Sequence, residues 1–436
     1  MFRTDNQDDQ DDLGGIFRLG LLATAAAVAI GLVGGLFRLS LEHSIVWLQS
    51  IYLSLRGMQP LIGFSLMCLL VTAMTLCAIY LVRRFAPNAA GSGVPRVEAV
   101  WRREMPSESN WMFLPVKFCS GILALSSGYA LGREGPIVQM GAYIGGVFGK
   151  LSKSAADQRT LIAGLAGAGL AVAFSAPLGG MLFALEELTR RAHPRLVIVS
   201  MVACTTAVPV AQLLVGTGEI FPVPHLEQPG IAGLLLLACL GVASGFAGVL
   251  YNTVILRALD IFNRPAAVPL WLRGTLAAVG LSILLWQTPF FTGGGEALVR
   301  ELLSGQQLFA GLAALWLARF ALGPLSYSLG MSGGLFAPML AVGAIQGIGF
   351  GMLVDAYWPA VALEIPLCAV VGMAAMFSGS VRAPLTGIVL IIEMTGLGNQ
   401  AVSLMAACIP AAIIPFWLQQ AGIYDDLRER LLRAQH

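Results

Sequence analysis

Leu131-Gly132-Arg133-Glu134-Gly135-Pro136 sets an acid and a base among glycines inside an otherwise apolar stretch. A carboxylate in such surroundings is costly unless it is paired or used, because an ionised group gives up its hydration on burial. The motif alone admits two readings. Glu134 is either a functional carboxylate within an apolar interior or a surface-loop residue held by Arg133. The rest of the chain weighs between them.

Of the 436 residues, 57% are hydrophobic and only 11% charged, with 51 glycines; the mean hydropathy is +0.79. A soluble domain is about 25% charged, so this chain lacks the polar surface to cover itself in water. The composition therefore indicates an all-α polytopic membrane protein embedded in a lipid bilayer. The formal net charge is +2, and the basic residues fall in small groups. No nucleic-acid partner is indicated, since that needs a basic face. The seven cysteines are scattered through apolar segments without a CxxC, and there are only four histidines. Neither a disulfide framework nor a metal site follows.

Residues 1–18 read as a polar cytoplasmic tail, rich in aspartate up to Asp12. The first apolar run, from Leu19 to about Leu55, is long enough to cross a bilayer at a strong tilt. Several later runs are too short to span. Val94 to Met105, Pro136 to Lys150 and Pro177 to Leu188 are among them. Backbone broken at membrane depth must be satisfied by protein or a water-filled cavity. The pattern thus predicts broken and re-entrant helices. Arg83, Arg84, Arg102, Arg103, Arg190, Arg191 and the terminal arginines would share the cytoplasmic side, with both termini inside.

The chain also repeats itself. Gly132-Arg133-Glu134-Gly135-Pro136 aligns with Gly334-Leu335-Phe336-Ala337-Pro338, and Gly141, Gly145 and Gly149 then fall over Gly343, Gly347 and Gly351. Further on, Ala176-Pro177-Leu178 with Glu186 aligns with Ala383-Pro384-Leu385 with Glu393. Matched Gly/Pro breaks in two halves point to a transport site at the repeat interface. Helix N-termini meeting there would offer free N–H groups to an anion. The halves are expected at 19–191 and 229–422, joined by a helix and loop at 192–228, with a cytoplasmic C-terminal helix at 423–436.

Gly91-Ser92-Gly93-Val94-Pro95, the Glu134 motif and Gly333-Gly334-Leu335-Phe336-Ala337-Pro338, in that order and followed by Tyr424, resemble the anion-site signatures of the CLC chloride channel/transporter family. The resemblance runs from about Leu19 to Leu432. It implies about eighteen tilted, broken and re-entrant helices in two inverted-topology repeats. It further implies a homodimer with one anion pathway per subunit, in a prokaryotic inner membrane.

Residue by residue, the resemblance makes Ser92 and Tyr424 hydroxyl partners of a bound chloride. Gly93, Arg133, Gly135, Leu335 and Phe336 would contribute surrounding backbone. Neutral hydroxyl and amide donors suit transport, because a bound ion must also leave. Glu134 resembles the gating glutamate, which competes with the anion when ionised and carries the proton when neutral. Glu187 matches the inner proton glutamate of the exchangers; within the repeat it aligns with Met394, so it is an unmatched extra charge. Its alternative is a surface residue paired with Arg190 at i,i+3. Glu98 and Lys117 resemble supporting charges able to form a buried pair, and Glu186 a proton-path accessory.

Ser92, where nitrate transporters carry proline, and the retained Tyr424 favour chloride over nitrate or fluoride. Coupled chloride/proton exchange is the leading function, with a passive chloride channel on the same fold as the alternative. An enzyme is disfavoured, because no nucleophile–base pair, metal set or cofactor motif is visible; chloride is the only bound species expected.

Overall fold

The computed structural model describes residues 13–152, 154–223, 226–263, 269–304 and 311–434. Among these, the first half forms α1 (Leu13–Arg56), α2 (Pro60–Phe85), α3 (Val94–Trp101), α4 (Phe113–Ser126), α5 (Glu134–Gly149), α6 (Ala155–Phe174), α7 (Pro177–Phe183) and α8 (Pro194–Val215). The second half forms α9 (Ile231–Asn263), α10 (Leu270–Gln287), α11 (Glu296–Leu303), α12 (Leu312–Ser328), α13 (Phe336–Tyr357), α14 (Ile365–Val381), α15 (Pro384–Thr395) and α16 (Ala401–Trp417). The last helix is α17 (Ile423–Arg433).

Seventeen α-helices are therefore described, against about eighteen expected. Among the described residues, seven helices are long and apolar enough to cross a membrane. The 44-residue α1 begins at Leu13, not at residue 19, and takes up the end of the expected tail; residues 1–12 of that tail lie outside the described residues. At 1.5 Å per residue α1 is about 66 Å long, roughly twice a hydrocarbon core. By contrast α3, α7 and α11 have only eight, seven and eight residues.

The repeat seen in the sequence has a packing cause. Helix α5 lies against α6, and α13 against α14 in the same manner. A Cβ on Gly141 would come within 2.2 Å of the Leu165 carbonyl, and one on Gly347 within 2.0 Å of the Cys368 carbonyl. Glycine lets each pair of backbones touch. Both α6 and α14 end on a left-handed residue, Ser175 (φ +53°) and Arg382 (φ +69°). Each is followed by Ala-Pro, and the proline opens the next helix, α7 or α15, where its missing N–H costs nothing.

The two halves also exchange caps. Glu393 of α15 accepts from the amides of Leu178 and Gly179 at the start of α7 (3.0 and 2.7 Å). Glu186, just beyond α7, accepts from the amides of Leu385 and Thr386 at the start of α15 (3.1 and 2.6 Å). This reciprocity is the structural form of the Ala-Pro-Leu…Glu repeat.

Candidate anion and proton site

Three glycine-rich loops meet at the centre and are tied by backbone hydrogen bonds. Gly132 and Gly334 form an antiparallel bridge, exchanging bonds of 2.9 and 2.8 Å. Gly91 and Ser332 form a parallel one. The antiparallel bridge relates the two repeats by a local two-fold, so α5 and α13 start beside one another. The three signatures, far apart in the chain, are one unit in space.

Glu134 is the first residue of α5 and is 1% exposed. Its Oε1 accepts from the amide of Phe336, the first residue of α13, at 2.8 Å, while Oε2 has no hydrogen-bond partner. The carboxylate thus occupies the positive end of a helix from the opposite repeat, where an anion would be stabilised. Gly132 and Gly334 leave room for it, since a Cβ on either would fall 2.0–2.1 Å from its oxygens. The surface-loop reading of Glu134 is ruled out by this burial.

Arg133 does not hold Glu134. Its guanidinium turns away to Glu296 (3.2 Å) and Glu42 (3.5 Å), and its Nε donates to the Ala173 carbonyl at 3.0 Å. The side chains of adjacent residues at a helix start point in different directions, which the motif alone does not reveal. Gly135 brings α5 against both neighbouring loops: a Cβ there would meet the Cα atoms of Gly334 and Ser92 at 2.8 Å.

Ser92 is fully buried just before α3, and Gly93 takes the N-cap with φ +77°. The Ser92 hydroxyl lies 3.4 Å from the hydroxyl of Tyr327 in α12. Tyr327 also accepts from the Ser92 amide at 3.5 Å. Tyr327 is therefore a direct hydroxyl neighbour of Ser92 that the sequence did not point to. Sequence reasoning missed this tyrosine because it lies at the end of an apolar helix with no charge beside it.

Tyr424, in the first turn of α17, is buried with its ring edge-on to Phe336 at 5.7 Å between centroids. Phe336 also meets Phe174, Phe183 and Phe377. Leu335 caps α13 and is fully buried. An apolar aromatic wall thus lies beside the amide that Glu134 accepts from.

Glu187 falls in a single π-helical stretch, Ala184–Thr189, that continues α7. It is 1% exposed, so the surface reading fails. Its Oε1 has no partner, and its Oε2 is 3.9 Å from the Arg190 guanidinium. An isolated π turn adds a residue to a helical turn and is common at functional sites.

The expected Glu98–Lys117 pair does not form. The Lys117 ammonium donates to the carbonyls of Ala89 and Gly91 at 3.0 and 2.7 Å. Ser332 reinforces the same loop by donating to the Ala89 carbonyl at 2.8 Å. These bonds fix the backbone that presents Ser92. Glu98 instead pairs with Arg102 (2.7 Å) and Arg428 (3.4 Å). Oppositely charged residues in one segment do not pair when carbonyls lie closer to the ammonium.

Residues 74–415 match the sequence model of the family described as voltage gated chloride channel. The chain is 35% identical over 429 residues to an H(+)/Cl(-) exchange transporter ClcA of Citrobacter koseri, covering 96% of this chain and 90% of that one. It is 34% identical over 429 residues to the ClcA of Vibrio parahaemolyticus, with the same shares covered. The chain belongs to the CLC family.

A slow cyanobacterial Cl-/H+ antiporter of known crystal structure superposes on this CLC protein with a TM-score of 0.91, at 30% identity, over 96% of this chain and 99% of the other. A eukaryotic CLC transporter shares the fold at a TM-score of 0.80 and 23% identity, over 95% of this chain and 74% of the other. Among the described residues of this CLC chain, no group of His, Cys, Asp and Glu is arranged to hold a metal ion.

The inner charges of the CLC chain include one group that the sequence reading passed over. Asp425, next to Tyr424, bonds Arg190 at 2.5 Å and lies 3.7 Å from Arg102. The signal was available, since an acid directly follows Tyr424.

Proposed function

We propose that this protein is a secondary active transporter that exchanges chloride for protons. The observation that carries the reading is the Glu134 carboxylate on the Phe336 amide at the start of α13. A carboxylate seated where helix N–H groups converge competes with a halide for the same donors. Protonation removes its charge and its advantage there. One side chain then ties anion passage to proton binding.

The anion lies among the hydroxyls of Ser92 and Tyr424 and the backbone of Gly93, Arg133, Gly135, Leu335 and Phe336. Glu187 takes the proton on the cytoplasmic side. What favours exchange over a passive channel is its burial with one carboxylate oxygen unpartnered, since a surface charge would offer no protected proton stop. Glu98 and Lys117 support the inner side of the pathway. The relatives named as H(+)/Cl(-) exchange transporters are in accord with this activity.

The protein works as a homodimer in a bacterial inner membrane, with both termini in the cytoplasm. The apolar exposed residues Leu178, Met201, Leu385, Met405 and Ile409, on α7, α8, α15 and α16, supply a face for a second copy. Purified protein in liposomes tests the activity. An imposed chloride gradient should drive protons uphill, and dissipating the chloride gradient should stop them. Chloride flux with no uphill proton movement would leave the channel as the correct reading.

A further inference from the structure

The inner ends of three elements are held together by charge. The α3 region brings Glu98, Arg102 and Glu104; the π turn brings Glu187 and ends on Arg190; α17 brings Asp425 and Arg428. Arg428 donates to both oxygens of Glu104 at 2.7 Å and lies 3.4 Å from Glu98. Arg428 and Arg102 also approach Asp425, at 3.8 and 3.7 Å. Arg190 makes the link to the π turn: it has two carboxylates in reach, Asp425 at 2.5 Å and Glu187 at 3.9 Å.

These two acids belong to different parts of the proposed machinery. Asp425 adjoins Tyr424 at the start of α17, and Glu187 is the inner proton residue. Arg190 holds its place with a left-handed backbone (φ +51°), which is unfavourable for a residue with a Cβ. Its side chain is 41% exposed, whereas those of Glu187 and Asp425 are 2% and 11% exposed. The guanidinium therefore stands between two sheltered carboxylates and the aqueous side.

We propose that Arg190 is a positioning residue that passes the charge state of Glu187 to the helix carrying Tyr424, by dividing its guanidinium between Glu187 and Asp425. The inference rests on the exchange reading of Glu187 and Tyr424. With Glu187 protonated, Asp425 is the nearer anionic partner and α17 stays docked, as in the geometry described. With Glu187 ionised, a second carboxylate competes for the same planar fork, and the hold on Asp425 loosens. The charged groups facing Glu187 are Arg190 and Glu186 from its own turn, Arg382 at the end of α14, Glu98 from α3 and Asp425 from α17. Glu186 is engaged on α15 and Glu98 on Arg102 and Arg428. Arg382 is engaged on the Gln420 carbonyl and the Phe416 ring, so Arg190 is, among the described residues, the cation within 4 Å of both acids.

Arginine is suited to this because its fork can address two carboxylates, whereas lysine offers a compact point charge. Asp425→Asn, Arg190→Gln and Arg190→Lys in liposomes test the inference, with protons moved per chloride as the readout. Each variant should lower that ratio while chloride continues to move. A purely structural ion pair would instead slow both fluxes together and leave the ratio intact.

A wild-type ratio in both Asp425→Asn and Arg190→Lys would overturn the proposal while leaving exchange in place. Wild-type protein that moves no protons would overturn the exchange reading, and this inference with it. If the neutral variants do not assemble, Arg190→Lys alone decides, since it retains the charge and removes only the fork.

Discussion

Glu134 and Phe336 come from opposite repeats, yet the Glu134 carboxylate accepts the amide hydrogen of Phe336 at 2.8 Å. A carboxylate seated this way is held by the other half of the molecule. Helix α13 offers a positive end, and α5 supplies the negative charge that fills it. Since the second carboxylate oxygen is unpartnered, the seat holds the side chain through the Phe336 amide.

Replacing Glu134 by alanine should therefore free the Phe336 amide for a halide. We expect uphill proton movement to be abolished and chloride flux to continue without its dependence on proton binding. Anomalous diffraction from bromide-soaked crystals should show an ion at the vacated carboxylate position. An empty position there, or retained proton pumping, would refute the competition between carboxylate and anion.

Gly334→Ala attacks the same seat from outside. Its Cβ would fall 2.1 Å from Glu134 Oε1 and 2.8 Å from the Gly135 nitrogen. The carboxylate can swing aside but the backbone cannot, so the cost is that of overpacking, about 1–3 kcal/mol. The expected outcome is a lower unfolding midpoint in detergent together with impaired proton coupling. A variant with wild-type midpoint and coupling would show that the loop has slack.

Tyr327→Phe tests the hydroxyl that faces Ser92. Tyr327 accepts from the Ser92 amide (3.5 Å), so its own proton is available to the Ser92 oxygen (3.4 Å). The Ser92 proton is then left for the anion. Both distances are long, so the loss should be near the low end of a hydrogen bond, about 0.5–1 kcal/mol, or roughly two- to fivefold weaker chloride binding. Isothermal titration with chloride measures it; unchanged or tighter binding would show that the serine is oriented by something else.

The crossed caps predict a stability effect without a transport signature. Glu186 accepts from two amides and the Thr386 hydroxyl, and Glu393 from two amides. Removing a cap costs about 0.5–2 kcal/mol. Glu186→Ala should lower the unfolding midpoint more than Glu393→Ala does, with protons moved per chloride kept in both. A changed ratio in Glu186→Ala alone would make it part of the proton path instead.

What the sequence made legible follows a physical rule. The loops around Ser92, Glu134 and Phe336 stand out because glycine, proline and charge are costly in an apolar chain, so each announces a break. The glycine repeat was readable for the same reason, Gly141 and Gly347 being required where helices touch. Direction was not readable. Arg133 turns to Glu296 and Glu42, Lys117 to carbonyls, and Glu98 to Arg102 and Arg428. Each choice depends on which element happens to lie opposite. Helix α11 escaped notice because its eight residues carry Glu296, Arg300 and Glu301 and look like a surface loop. Tyr327 was hidden in the apolar run of α12, where nothing local marks its hydroxyl.

Glu187 gives the sharpest test of exchange against passive conduction. Its carboxyl is buried, with Oε1 unpartnered and Oε2 only loosely approached by Arg190 at 3.9 Å. Glutamine keeps the volume and the polar atoms but cannot exchange a proton in the working range. Glu187→Gln should therefore stop uphill proton movement while chloride still crosses, and the remaining chloride flux should no longer be driven by a proton gradient. The substitution removes no bond shorter than 3.9 Å from the side chain, so the unfolding midpoint should stay close to wild type. If Glu187→Gln still pumps protons in liposomes, the inner proton stop lies elsewhere, and Glu98, buried with its own unpartnered Oε2, becomes the next residue to neutralise.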